Sequence, residues 1–113
     1  MATREIPRRE WTEFFNQFSR EYLGRIATLE VVGPDMGDQP AAEAQPFRGI
    51  SADEKDNENR IAILVGTGIT HTVMSPSEVW VEEGDAGHVS LEIRGTDGGT
   101  WLLTFVAEDL LQA

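Results

Sequence analysis

The feature that most constrains the fold is a single change of hydrophobic period near Gly24. Before that glycine, aromatic residues recur at i, i+3, i+4, i+7 and i+11, the spacing of one helix face: Trp11, Phe14, Phe15, Phe18 and Tyr22. Pro7 suits the first helical turn, and Gly24 stands where a glycine commonly ends a helix. The pattern predicts a helix over about residues 7–23 with its aromatic face in the core.

After Gly24 the apolar residues alternate with a period of two, which is typical of strands. Seven segments are strand-like: 25–32, 42–53, 60–66, 69–75, 78–83, 88–94 and 100–106. Of these, 60–66 is apolar at both parities, which predicts a strand covered on both faces. The stretch GPDMGDQPA before the second segment predicts a loop. No further segment is long enough for a crossover helix, so a parallel sheet is excluded.

We therefore expect an α+β fold, in which an N-terminal helix packs on a curved, mainly antiparallel sheet of five to seven strands. A partly open small barrel is the most curved form of this arrangement. The 113 residues fit one domain over 1–113. It would comprise the helix, a β-rich part over 25–106 and a short C-terminal tail over 107–113.

Three glycine and proline positions give local predictions. Phe47 and Ile50 can share a face only if a bulge lies between them, and Gly49 is its natural site. A three-residue turn, Asp97-Gly98-Gly99 with Gly99 left-handed, keeps the two last strands in matching parity. Pro76 should end a strand pairing or mark a sheet edge.

Charge and composition exclude several classes of function. The chain has 20 acidic and 9 basic residues and a net charge of −11, which repels nucleic-acid phosphates and anionic membranes. The absence of cysteine excludes disulfides, thiol catalysis and thiolate metal sites. The N-terminus lacks the apolar segment of a signal peptide, so a cytoplasmic location is expected. No cofactor motif is present, and we expect no cofactor.

The order of segments also resembles a known family. The quoted stretches are REIPRREWTEFFNQFSREYLG, TLEVVGPD, GISADEKD, THTVMSPSEVW and LEIRGTDGGTWLLTF. Together they are similar to a family of small acidic bacterial proteins known only as a domain of unknown function. The resemblance covers nearly the whole chain and implies no reaction, cofactor or catalytic residue.

His71 is the first candidate functional residue. Alternation places it on the same face as Ile69 and Val73, so it should be at least half-buried. The structural interpretation is a neutral histidine that is hydrogen-bonded to a backbone carbonyl or a carboxylate. The functional interpretation is a general base, a ligand anchor or a metal ligand. The structural interpretation is favoured, because a lone histidine seldom makes a site.

A metal site would need further ligands near His71. His88 and Asp53 are the weak candidates, but His88 should face solvent at the start of a strand. The two histidines do not show a metal-binding spacing. We therefore predict no metal site.

Trp80 is the second candidate. It alternates with Glu78 and Glu82, so its ring should lie on a charged, partly exposed face, where tryptophan is typical of interfaces. Packing of the ring on a loop or on the helix is the equally weighted alternative.

Three hypotheses for function follow. The first is a non-catalytic interaction module, which self-associates, for example as a homodimer, or binds a protein partner through a sheet edge or the Trp80 region. The second is a small-ligand binder with His71 as polar anchor and aromatic walls from Trp11, Phe15 or Trp101. The third is a metal-assisted enzyme that uses His71 and a carboxylate. We favour them in that order.

Overall fold

The computed structural model describes residues 2–33, 37–53, 60–66, 70–84, 88–96 and 98–105, with the backbone alone for residues 2, 37–41 and 53. A short 3-10 turn, Arg8–Glu10, leads into the helix α1, Trp11–Tyr22. The strands are β1 Ala2–Glu5, β2 Ile26–Gly33, β3 Gly37–Asp53, β4 Arg60–Val65, β5 Thr70–Met74, β6 Pro76–Glu83, β7 Val89–Gly95 and β8 Thr100–Phe105.

The strands form one antiparallel sheet in the order β1-β6-β7-β8-β2-β3-β4-β5. The α+β class with an N-terminal helix on an antiparallel sheet is confirmed. The sheet has eight strands because Ala2–Glu5 adds an edge strand that the sequence pattern did not indicate. The sheet does not close into a barrel, since β1 and β5 are its two edges.

The core lies between α1 and the inner face of the sheet. Trp11, Phe15 and Phe18 are buried, so the aromatic stripe faces the core as predicted. The rings of Phe18, Phe47 and Phe105 pack edge to face, with centroids 5.1–5.8 Å apart. Each such pair contributes about 0.5–1.5 kcal/mol beyond its buried area, so these rings join the helix to β3 and β8.

Polar groups fix the position of α1 on β3. The hydroxyl oxygen of Ser19 accepts a hydrogen bond from the Ile50 amide and donates one to the Ile50 carbonyl, both at 2.9 Å. At the end of the helix, the Gly24 amide donates to the Phe47 carbonyl at 2.8 Å. Gly24 has a φ of +86°, the left-handed conformation that glycine adopts at little cost. Its predicted role after the helix end is confirmed.

The bulge at Gly49 is confirmed, whereas the start of β3 was wrongly predicted. The register shifts between Phe47 and Gly49, and as a result both Phe47 and Ile50 are buried. Residues 37–41, within the predicted loop, belong to β3 and pair with β2. The alternation there is too weak to indicate a strand, and pairing with β2 supplies the stability that the pattern lacks.

The β7–β8 hairpin has the predicted loop length and parity, but the loop lies one residue earlier. Arg94 pairs with Thr100, and the Gly95 amide donates to the Gly99 carbonyl at 2.9 Å. The loop therefore spans 96–98, and Gly98, not Gly99, has the positive φ, at +90°. The central residue Asp97 lies outside the described residues.

Pro76 separates two strands as predicted, but β6 is not an edge. Ser75 has a φ of +51° between β5 and β6, and β6 then lies between β1 and β7. The Pro76 carbonyl accepts a hydrogen bond from the Arg8 guanidinium at 2.9 Å. The N-terminal segment is thus attached to the start of β6.

Candidate functional site

The register of five strands brings together a row of side chains on the outer face of the sheet, opposite α1. Glu5 pairs with Trp80, Trp80 with Glu92, and Glu92 with Leu102, which also pairs with Glu30. Paired residues point to the same side of a sheet. Trp80 therefore lies in the second position of a row whose other members, except Leu102, are carboxylates.

Trp80 is half-buried and is held by surface side chains. Its indole Nε1 donates a hydrogen bond to Glu78 Oε1 at 3.1 Å. The guanidinium carbon of Arg94 lies 5.8 Å from the centre of the indole ring, within the range of a cation–π contact. The described contacts of the ring are thus with outer-face side chains of β6 and β7, and not with a loop or with the helix. The alternative that Trp80 belongs to an interface stays a prediction.

Arg94 connects the groups around Trp80. Its Nε donates to Glu92 Oε2 at 2.6 Å, and its Nη1 lies 3.7 Å from Glu78 Oε1. The hydrogen bond to Glu92 raises the pKa of Arg94 above its ordinary value, and the charges of Glu92 and Glu78 act in the same direction. The guanidinium is exposed, so water and salt compete with both ion pairs. A binding partner could therefore replace them at low cost.

A shallow groove of about 250 Å³ runs beside this cluster, and its walls include Thr3, Trp80, Glu82, Ser90, Arg94 and Leu102. The edge strand β1 forms one side of the groove through Thr3. Trp80 and Leu102 give it an apolar floor, and Glu82 and Glu92 give it an acidic rim. We refer to Glu78, Trp80, Glu82, Glu92, Arg94 and Leu102 as the Trp80 surface.

The charge of this outer face is one-sided. On the described parts of β1, β2, β6, β7 and β8 it carries five carboxylates, Glu5, Glu30, Glu78, Glu82 and Glu92. The same ranges place one guanidinium there, that of Arg94. A surface of this composition attracts cations.

Trp11 is fully engaged in the core. It is 2% exposed, its Nε1 donates to the Ile6 carbonyl at 2.8 Å, and the Arg8 guanidinium covers the ring at 4.7 Å. Phe15 is also completely buried. These two rings therefore contribute to packing between helix and sheet and present no surface to a ligand.

His71 lies on the core side of β5, as its alternation with Val73 predicts. It is half-buried opposite Ile63, and its ring centre is 6.2 Å from that of Trp101. His71 Nε2 is buried and forms no hydrogen bond with any group that the structure describes. The hydrogen bond that we expected at this nitrogen is thus absent from the described residues. Ile69, the third residue of that alternation, lies outside them.

The weak metal candidates are not brought together. His88 is exposed beside Val89, which pairs with Phe105, whereas the His71 neighbour Trp101 pairs with Ile93. Those two rows are four residues apart, or roughly 13 Å along the strands. Asp53 ends β3, and its side chain is outside the description. Within the described ranges, no group of three or more histidine and acidic residues is placed to hold a metal ion.

Sequence reasoning found Trp80 but missed Arg94 and Leu102. The two short patterns Glu78-x-Trp80 and Glu92-x-Arg94 are aligned by the antiparallel β6–β7 register, which places Glu78 opposite Arg94 and Trp80 opposite Glu92. That register was not predicted, because Pro76 suggested a sheet edge. Leu102 was missed because it lies in the apolar run Trp101-Leu102-Leu103, whose successive members face opposite sides of β8.

The fold and this surface define a class of protein that has an open antiparallel sheet covered by one helix. The outer face of the sheet is acidic and has a tryptophan at its centre. The sequence matches the model of the Family of unknown function (DUF5335) over residues 2–112, and the chain belongs to that family. The resemblance noted from the sequence segments is therefore confirmed.

Two individual proteins are also similar to this chain. An uncharacterized protein of Aquifex aeolicus (strain VF5) is 32% identical over 103 residues, which are 91% of each chain. The crystal structure of the Bacillus subtilis YojF protein is similar with a TM-score of 0.52 and 10% identity, and the match covers 96% of both chains. The second match shows the fold alone. Neither relative brings a specific activity.

The one helix longer than a turn among the described residues, α1, has 12 residues. Within the described ranges, no helix has the length and apolar character needed to cross a bilayer.

Proposed function

We propose that this protein is a non-catalytic interaction module that binds a basic segment of a partner protein at the Trp80 surface. The observation that carries this proposal is the position of Trp80, half-buried beside an open groove and surrounded by carboxylates. Tryptophan and arginine are the residues most enriched among those that dominate binding energy. Trp80 and Arg94 lie together on this surface.

The charge of the surface supports a cationic occupant. A lysine or arginine of the partner can take the place of Arg94 over the Trp80 ring or bind the carboxylates of Glu82 and Glu92. Apolar partner side chains between such cations would cover Leu102 and the indole. A second copy of this chain is a poorer occupant, because the net charge of −11 would bring like charges together. The same acidity disfavours nucleic acid.

The preferred partner conformation follows from the groove. The groove runs across neighbouring strands between Thr3 and Leu102, and an extended segment places alternate side chains on one side. A strand-like segment with cations and apolar residues in alternation therefore presents one row to the rim and floor. This is the simplest sequence that satisfies both features of the surface.

Binding of a defined probe tests the proposal. The probe is a fluorescent peptide in which arginine alternates with leucine; a peptide with glutamate in place of arginine and one with serine in place of leucine are the comparisons. We expect saturable binding of the arginine–leucine peptide, weaker binding of the arginine–serine peptide and none of the glutamate peptide. Trp80→Ala should weaken binding at least about tenfold, which corresponds to about 1.4 kcal/mol.

A charge-matched pair of variants distinguishes binding at a defined site from non-specific electrostatic attraction. Glu82→Gln and Glu13→Gln each remove one exposed carboxylate, but Glu82 lines the groove and Glu13 lies on α1, across the core. Glu82→Gln should weaken binding more than Glu13→Gln. Equal effects of the two, or unchanged binding by Trp80→Ala, would show that the peptide responds to net charge alone and would exclude this surface.

A further inference from the structure

The two edges of the sheet differ in charge. Edge strands are usually protected by charged side chains, which prevent pairing with another chain. β1 carries Arg4 and Glu5, whereas β5 has the sequence Thr70-His71-Thr72-Val73-Met74 without a formal charge when histidine is neutral. β5 pairs with β4 on one side, and no strand of the described residues pairs with its other side. Among the described residues, β5 is thus a sheet edge without charged side chains to protect it.

The outer face beside this edge is also weakly charged. Met74 is 57% exposed, and Ala62 and Leu64 of β4 are half-buried next to Thr72 and Thr70. Arg60 is the single charged residue within β4 and β5. In a chain with a net charge of −11, the described residues of β4 and β5 form a region where two copies can approach without juxtaposing carboxylates of these two strands.

We propose that β5 is a self-association edge, at which a second copy of this chain pairs antiparallel with the first. A two-fold axis through Thr72 would place Thr72 opposite Thr72 of the second copy and Thr70 opposite Met74. Such an interface is self-complementary, as two-fold symmetry requires. The pairing extends the sheet from one copy into the other and adds main-chain hydrogen bonds along both strands.

The register keeps the buried side chains in place. Val73 is buried and His71 is half-buried on the core side, so both stay within their own copy. Thr70, Thr72 and Met74 lie on the exposed side and would form cross-strand pairs at the interface. This proposal does not depend on the Trp80 surface, which lies on the other half of the sheet.

A single introduced thiol tests the register, because the chain has no cysteine of its own. In the proposed pairing, the two copies of residue 72 have Cα atoms about 4.5–5.5 Å apart, which is within disulfide range. Thr72→Cys should form disulfide-linked dimers under a mild oxidant. The control Thr12→Cys places a thiol at an exposed position of α1 and should stay largely monomeric. Equal cross-linking of the two variants overturns the proposal.

Sedimentation equilibrium of the wild-type chain and of lysine variants is the second measurement. Thr72→Lys would put two cations opposite each other, so the dissociation constant of the dimer should rise at least about tenfold. Thr12→Lys makes the same chemical change on the helix and should leave that constant unchanged. A wild-type protein that is monomeric at all concentrations overturns the proposal. A dimer that survives Thr72→Lys but is lost in Trp80→Ala also overturns it and assigns self-association to the Trp80 surface.

Discussion

Trp11 and Trp80 have the same two kinds of contact but serve different parts of the molecule. Each donates an indole hydrogen bond, and each has an arginine over its ring. The partner of the Trp11 indole is the main-chain carbonyl of Ile6, and Arg8 also binds a main-chain carbonyl. The partners of Trp80 are side chains of Glu78 and Arg94.

This difference separates a structural tryptophan from one available for binding. Main-chain carbonyls are fixed by the fold, so the contacts of Trp11 persist as long as the chain is folded. Carboxylates and guanidinium groups at a surface can exchange partners at little cost, because their ion pairs are weak in water. The contacts of Trp80 can therefore be replaced by those of a bound segment.

Removal of the Trp11 ring or the Trp80 ring should give the largest difference in the free energy of unfolding. Trp11→Ala opens a cavity in the core and should lower the free energy of unfolding by about 3–5 kcal/mol. Trp80→Ala removes a half-buried ring from the outer face and should lower it by less than about 1.5 kcal/mol. Urea unfolding followed by circular dichroism measures both. Equal losses would contradict the distinction between the two tryptophans.

Replacement of Arg8 or Arg94, the arginines over the two rings, should give a smaller difference in stability. Arg8→Met removes the hydrogen bond to the Pro76 carbonyl and the cation over Trp11, and should lower the free energy of unfolding by about 1–2 kcal/mol. Arg94→Met breaks exposed ion pairs and should leave the thermal midpoint unchanged. If Arg94→Met proves to be the more destabilising variant, the outer-face cluster is part of the fold rather than a binding surface.

These predictions rest on features that the sequence reveals unequally. The aromatic stripe from Trp11 to Tyr22 and the bulge at Gly49 were predictable, because each follows from period and from one special residue. The parity of β7 and β8 was predictable because both strands have one strongly apolar face. The packing of the helix on the inner face of the sheet can therefore largely be predicted from the sequence.

The edge strand β1, the Trp80 surface and the surroundings of His71 are harder to predict from the sequence, for physical reasons. β1 has four residues, Ala2–Glu5, and gains its stability from pairing with β6 rather than from its own pattern. The association of Trp80 with Arg94 and Leu102 depends on the register across three strands, which a proline obscured. The unpaired Nε2 of His71 could not be foreseen, because polar groups that are buried are usually hydrogen-bonded.

Replacement of His71, on the inner face, should have a modest effect on the free energy of unfolding. His71→Leu replaces a ring whose buried nitrogen lacks a described partner by an apolar side chain of similar size. Removing an unsatisfied polar atom should raise the free energy of unfolding by up to about 1 kcal/mol. Urea unfolding of this variant measures the change. A loss of 1 kcal/mol or more would indicate that the nitrogen is hydrogen-bonded in solution, as the sequence first suggested.

The smallest expected effect is the pH dependence that comes from Tyr22, a half-buried residue at the edge of the inner face. Burial raises its pKa, the charges of Glu21 and Glu83 raise it further, and Arg25 opposes them. The folded state therefore holds the phenol proton more tightly than the unfolded state. Its contribution to stability is complete below the ordinary pKa of about 10 and is lost as the pH rises through the folded pKa.

Tyr22 is the single tyrosine of the chain, so the phenolate absorbance reports it alone. The midpoint of an alkaline titration should lie above about 10, and Glu83→Gln should shift it downward. Tyr22→Phe should abolish the absorbance step. A midpoint at or below the ordinary value would show that the ring is solvated and that the inner-face packing ends before Tyr22.

The indole resonances of the three tryptophans test the central claim most directly. Each gives a separate ¹H–¹⁵N signal that can be assigned with Trp→Phe variants and followed during titration with the arginine–leucine peptide. If the peptide binds at the Trp80 surface, the Trp80 signal shifts and saturates while those of Trp11 and Trp101 stay in place. Shifts of Trp11 or Trp101, or no shift of Trp80 when the peptide binds, would contradict the assignment of the Trp80 surface as the binding site.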